Sequence, residues 1–195
     1  TTEADAALWE APFQYLQSAL YDPDDPNSLT LKAERAKARD AHARERWWEP
    51  YWPRPEMRRA IEVLSRYIVT PETATYRTFI WLRYPVIPDK NLIVIPREDD
   101  ATFGILHSRM HELWTLRMGT RLGVGNDSRY TSSTTFETFP FPEGMTPDVP
   151  SSSYSTNPVA QKIATAAARL NELRENWLNP PDLVHREPEV VPGFP

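Results

Sequence analysis

Apolar residues fall in short β-like runs through the middle of the chain and in helical steps toward its end. Residues 91–95, NLIVI, form a β-branched and apolar run, the pattern of a buried strand, and Pro96 ends it. Beyond it Phe103, Leu106, Met110, Leu113 and Arg117 step by three and four, with Trp114 beside them. That spacing predicts one helix over 100–118 with a single apolar stripe. Asp99 or Asp100 is placed to cap it, since a carboxylate there accepts from N–H groups the helix leaves unbonded. Gly119 is its natural stop. Upstream, Met57, Ala60, Ile61 and Leu64 share one face of a helix over 56–66. Residues 67–70 and 76–82 read as strands, with a turn at Pro71 and another bracketed by Pro85 and Pro88. Residues 120–135 read as a polar loop and 134–139 as a short returning strand closed by prolines. The fold class this implies is α+β: a small mixed or antiparallel sheet covered by a helix, followed by a long C-terminal helix.

The flanks are helical. Residues 1–21 suit a short helix that Pro12 weakens. YDPDDPNS at 21–28 is a turn-rich break. Residues 29–46 are Ala, Lys, Arg and Glu, a connecting helix by propensity with little to bury. RERWWEPYWPRPEM at 44–57 concentrates aromatic rings among prolines. It seals a corner of a core or stacks on unstacked bases. After the linker SSSYSTNP, Asn157 is a cap and Pro158 a first helical residue. Val159, Ile163, Ala166, Leu170, Leu173 and Trp177 then repeat by four and three, the seam of a coiled coil or a two-helix pairing. The tail from 180 is Pro-rich, the composition of an extended or mobile segment. The organisation expected is 1–53 as helical linker and aromatic wrap, 54–147 as the central domain, and 148–195 as helix and tail.

Composition narrows the classes. No run of eighteen apolar residues exists, so no membrane span is expected. The first residues lack the basic start and apolar segment of a secretory signal. The absence of cysteine excludes a disulfide scaffold and cysteine–zinc sites and fits a cytoplasmic protein. A net charge of −5 argues mildly against nucleic acid, but its distribution softens the objection. Residues 54–130 carry 12 basic groups against 9 acidic, and eleven of the twelve are Arg, the side chain suited to forked phosphate and guanine contacts.

The 120–135 stretch holds Arg121, Asn126, Arg129, Tyr130 and a run of five Ser/Thr that includes Ser132 and Ser133. Arg pairs with guanine or phosphate, Asn with adenine, and hydroxyls with either. The other reading is a solvated loop whose hydroxyls make turns. Arg77 lies beside the second strand, and His107 and Arg109 lie on the helix. His107 and His111, four apart, could face one metal, but no third ligand stands out and the Glu follows the second His, so no metal site is expected. NPPD at 179–182 follows a helix and has Asp where a base-stacking ring would sit, so it reads as a helix stop. GTRLGVG at 119–125 follows a helix and lacks a Lys-Ser/Thr ending, so it is no phosphate loop. No nucleophile–base pair is visible, and no catalytic residue is assigned.

RYIVTP at 66–71, REDDATFGILHSRMHELW at 97–114 and GVGNDSRYTSSTTFETFPFP at 123–142 resemble the target recognition domain of MmeI-like DNA methyltransferases. These are type IIG/IIL bacterial restriction–modification proteins. RERWWEPYWPRPEM and AARLNELRENWLNPPD also resemble that family, so the resemblance spans roughly 44–182. It implies the sequence-specific DNA recognition part of an S-adenosylmethionine-dependent adenine-N6 methyltransferase, often joined to a nuclease. The segment itself would lack catalytic motifs and cofactor, the S-adenosylmethionine belonging to the parent enzyme. The implied partners are double-stranded DNA approached through the major groove, the methyltransferase domain of the same protein, and a helix paired through 158–177. Residue chemistry, rather than the resemblance, selects the DNA contacts: Arg77, His107, Arg109, Arg121, Asn126, Arg129, Tyr130, Ser132 and Ser133. The alternative is a helix-mediated protein–protein interaction module without DNA binding. Salt separates the two, because counterion release makes DNA binding fall steeply with salt.

Overall fold

Strand β1, Tyr67–Pro71, is the pivot of the larger unit. Its first four residues are buried, and it pairs antiparallel with two later strands. The computed structural model describes residues 2–20, 22–49, 54–122 and 127–185. It divides into two units, Thr1–Pro55 and Glu56–Pro195.

Among its described residues the first unit contains four short helices: α1 Glu3–Ala7, α2 Glu10–Ser18, α3 Leu31–Arg35 and α4 Ala41–Glu45. The single helices expected over 1–21 and 29–46 are each split in two. Local caps explain the second split: the Thr30 and Asp40 side chains accept from Ala33 and Ala43 N–H, and each starts a new helix. Trp47 is buried against Phe13, with ring centroids 5.5 Å apart, and donates from Nε1 to Glu3. Trp47 thus serves the core. Tyr51 and Trp52 lie outside the described residues.

In the second unit α5, Pro55–Glu62, buries Ile61 beneath Tyr67 and Val69. One sheet has the order β3–β1–β4, where β3 is Ile80–Leu82 and β4 is Leu92–Ile95. A second sheet has β6, Asp127–Arg129, between β2, Thr73–Ala74, and β5, Thr120–Leu122. Glu72 alone separates β1 from β2. Its N–H donates to the Asn91 carbonyl at 2.7 Å, and its own carbonyl accepts from Tyr130 N–H at 2.6 Å. The chain therefore leaves one sheet and enters the other across a single residue. All strand pairing described is antiparallel.

Four sequence expectations change here. The helix over 100–118 is two helices, α6 Asp100–Leu106 and α7 Arg109–Met118. Asp99 caps the first by accepting from Thr102 N–H at 2.8 Å, and the Ser108 hydroxyl caps the second by accepting from His111 N–H. The break re-aims α7. Phe103 and Leu106 are buried, whereas Met110 is 72% exposed, and the inner face of α7 carries His111 and Thr115 instead. The expected loop over 120–135 is a pair of strands followed by a π-helical turn, Ser132–Phe136, which also replaces the strand expected over 134–139. Hydroxyls draw the chain into that turn: Thr131 N–H donates to Thr135 Oγ1 at 3.0 Å and Thr138 Oγ1 to the Thr134 carbonyl at 2.8 Å. Of the strand expected over 76–82, only Ile80–Leu82 pairs.

Beyond the 3₁₀ turn Ser151–Tyr154, α8 runs Pro158–Leu178, with Asn157 accepting from Val159 N–H at 2.8 Å. It packs on α6, with Ala160 and Ala167 buried. The close approach rests on Gly104, where an added Cβ would lie 2.6 Å from Ile163 Cγ2 and 3.0 Å from Ala167 Cβ. The face turned inward is therefore not the whole expected seam. Leu170, Leu173 and Trp177 point outward, Trp177 at 81% exposure. Asp99 also fastens this segment, since its carboxylate takes Tyr154 Oη–H at 3.1 Å and Arg97 Nε–H at 3.1 Å. Among the described residues no helix is long and apolar enough to cross a membrane.

Candidate nucleic-acid interface

Tyr130 organises the surroundings of the 120–135 segment. It has no exposed surface and packs edge-on against Phe79, with centroids 5.7 Å apart. Its hydroxyl meets His111 Nε2 at 3.2 Å. His111 Nδ1 lies 2.9 Å from the Leu106 carbonyl, which can only accept, so Nδ1 carries the proton and Nε2 accepts from Tyr130. Burial drives His111 down to about 4, against the hydrogen bond to Leu106, and the imidazole is neutral. Burial also raises the Tyr130 hydroxyl above its ordinary value. A neutral, fully bonded pair thus ties α7 to the end of β6.

Arg77 closes the same assembly. It donates to Thr70 Oγ1 at 3.2 Å, to the Pro71 carbonyl, and to the Ser128 carbonyl at 2.7 Å. Its guanidinium lies 5.2 Å from the Tyr130 ring, and burial lowers its pKa. It is a rivet between β1 and β6. His107 is likewise turned inward. Its Nε2 donates to the Phe79 carbonyl at 3.0 Å, and burial holds its pKa below the usual value. Arg77, His107 and Tyr130, chosen from the sequence as DNA contacts, are therefore turned into the protein, where the two Nη atoms of Arg77, Nε2 of His107 and the Tyr130 hydroxyl have internal partners. Their residue types suited a duplex, and their burial was not visible in the sequence.

The remaining candidates among the described residues face solvent. Arg121, Arg129, Ser132 and Ser133 are exposed on one continuous segment. Arg109 is exposed on α7 and paired with Glu112 at 2.6 Å. Asn126 lies outside the described residues. Register places Thr73, Arg129 and Thr120 side by side across the three strands, and all three are exposed. Because side chains alternate along a strand, this row lies on one face of the sheet. It reads hydroxyl, guanidinium, hydroxyl.

Glu72 holds the central arginine: Arg129 Nε lies 2.6 Å and Nη2 2.5 Å from Glu72 Oε1. One edge of the guanidinium is thereby occupied, and its end, Nη1 with Nη2, keeps two parallel donors. Asp127 in the same strand accepts from Thr75 Oγ1 at 2.7 Å. Sequence reasoning missed Glu72, Thr73 and Thr120. The acid and the arginine it orients are 57 residues apart, so no local spacing announces the pair. Gly119 lets this sheet approach α7. A Cβ there would lie 2.6 Å from the Thr115 carbonyl and 2.7 Å from that of Arg129.

Among the described residues no cluster of His, Asp or Glu could hold a metal ion. His107 and His111, the pair considered for one, each spend a nitrogen on a carbonyl.

The family model described as MmeI, target recognition domain, matches residues 25–143, more than half of the chain. The match takes in both sheets and the hydroxyl turn and ends before α8. No curated protein and no solved structure matches.

Proposed function

Because the chain belongs to the MmeI target recognition domain family, we propose that it reads a DNA sequence for an S-adenosylmethionine-dependent adenine-N6 methyltransferase of the restriction–modification type. The observation that carries this reading to particular residues is the exposed row Thr73–Arg129–Thr120, with Arg129 held from the side by Glu72. An arginine fixed in this way presents its two end donors in the fork that guanine O6 and N7 or a phosphate accepts. Ser132 and Ser133, at the start of the hydroxyl turn, add short donors beside it, and Arg121 adds charge. Here Arg129 reads a base edge and the hydroxyls fix its register on the duplex.

Methyl transfer belongs to another domain in this reading. NPPD closes α8, with Asn179 Nδ2 donating to Glu175 at 3.2 Å, and Asp182 offers no ring on which a base could stack. These residues do not fit a site for a flipped base, and no step of the reaction is assigned to them. The outward seam of α8 supports a second partner. Leu170, Leu173 and Trp177 keep the four-and-three spacing of a helix pair, and the methyltransferase domain is the occupant we assign to it.

The test is Arg129→Ala in the complete enzyme, assayed by binding to cognate and single-substituted duplexes. A base-reading arginine should cost about 1–3 kcal/mol, with discrimination lost at one position. Unchanged affinity and preference would remove Arg129 from the reading.

A further inference from the structure

We infer that the cleft between β3 and α8 binds a phosphate of the DNA backbone, away from the bases being read. The inference rests on the reading above, that the chain engages a duplex. The cleft has a volume of about 480 Å³ and is lined by Arg66, Trp81, Leu82, Arg83, Asn171 and Glu175. None of these belongs to β2, β5, β6 or the hydroxyl turn, so it is a separate site.

Its polar groups are mostly donors without acceptors. Arg83 is exposed at the end of β3, and its guanidinium has no partner among the described residues. Asn171 Oδ1 accepts from Arg174 Nη2 at 3.2 Å, which leaves the protons of Nδ2 unspent. Trp81 Nε1 is buried without a hydrogen-bond partner. Arg66 is committed elsewhere, to Asp100 at 3.0 Å and the Glu98 carbonyl at 3.0 Å. It still lies 3.9 Å above the Trp81 ring, and that ring stacks on Phe103 at 4.6 Å. The indole wall is thus clamped from both sides. Glu175 is the one carboxylate on the wall, and Asn179 engages it. The donors a ligand can reach are the Arg83 guanidinium and Asn171 Nδ2, and they call for a ligand that brings acceptors and negative charge. A phosphodiester brings both, and the side chain of Leu82 offers an apolar neighbour to the sugar next to it. Such a contact carries no sequence information and sets the register of the domain on the duplex.

The experiment is Arg83→Ala and Arg83→Lys in the complete enzyme, with affinity for cognate and unrelated duplexes measured across a salt series. R83A should weaken both duplexes by the same factor, and the slope of log K against log salt should fall in magnitude by about 0.9, the loss of one phosphate contact. R83K should keep the slope. If the wild type binds DNA and R83A matches it in affinity and slope, the cleft is not a phosphate site and the recognition reading stands. If the wild type shows no salt-dependent duplex binding, both fall. Weakened association with the methyltransferase domain at an unchanged salt slope would assign the cleft to a protein carboxylate and overturn the proposal.

Discussion

Glu72 Oε1 lies 2.6 Å from Arg129 Nε, and Glu72 is also the single residue across which the chain passes from one sheet to the other. The two facts belong together. Main-chain bonds to Asn91 and Tyr130 fix the Glu72 backbone, so the carboxylate that aims Arg129 is itself held by both sheets.

Glu72→Ala should therefore separate recognition from stability. The ion pair is partly exposed, 45% on the arginine and 29% on the glutamate, and such pairs contribute about 0–1 kcal/mol to folding. Freed from its side-on partner, Arg129 would sample several rotamers and lose the fixed fork. The expected result is a small change in urea midpoint and a smaller affinity gap between cognate and unrelated duplexes. A variant that discriminates as well as the wild type would show that Arg129 is not aimed by Glu72.

The His111–Tyr130 pair makes folding pH-dependent. His111 sits at about 4 in the folded chain, against 6.5 for a free imidazole, because burial disfavours its charge. The unfolded state then binds more protons between these values, so stability is fully present above pH 6.5 and is lost as pH falls toward 4. The whole separation corresponds to about 3 kcal/mol, and His107, shifted the same way by burial, adds to it. Urea denaturation at intervals from pH 7.5 to 5 should show the decline. His111→Gln should be less stable at pH 7.5 and show a shallower slope with pH. An equally steep slope in that variant would place the titration elsewhere.

Local chemistry made part of this fold legible. Asp99 and Asn157 cap the helices they were expected to cap, and Leu92–Ile95 is the strand its β-branched run announced. Two of the errors share one cause, competition from short polar side chains. Ser108 restarts a helix inside a stripe that looked continuous, and the hydroxyls of Thr135 and Thr138 bend a supposed strand into a turn. The candidate interface was half legible for a related reason. Arg129, Arg121, Ser132 and Ser133 are on the surface as their chemistry suggested, whereas Arg77 and Tyr130 have the same chemistry and serve the core. Residue type names what a side chain can bond. Only the packing of Phe79, His111 and Ser128 around it decides whether that bond is internal.

The two faces of α8 should respond oppositely to substitution. Its inner face meets α6 at Gly104, where a methyl group would fall 2.6 Å from Ile163 Cγ2 and 3.1 Å from the Ile163 carbonyl. Gly104→Ala gains about 1 kcal/mol of helix propensity, but overpacking at a helix contact costs about 1–3 kcal/mol. The steric cost should win, because the Ile163 carbonyl is backbone and cannot rotate away. On the outer face, Leu173 is half exposed and Trp177 is 81% exposed, so Leu173→Glu should stay within about 0.5 kcal/mol of the wild type. If that face seats a helix of the methyltransferase domain, the same Leu173→Glu should abolish co-purification of separately expressed domains, while Gly104→Ala lowers the melting temperature. Should Leu173→Glu destabilise the fold and leave association intact, the seam would be part of the core and its proposed partner would have to be sought on another surface.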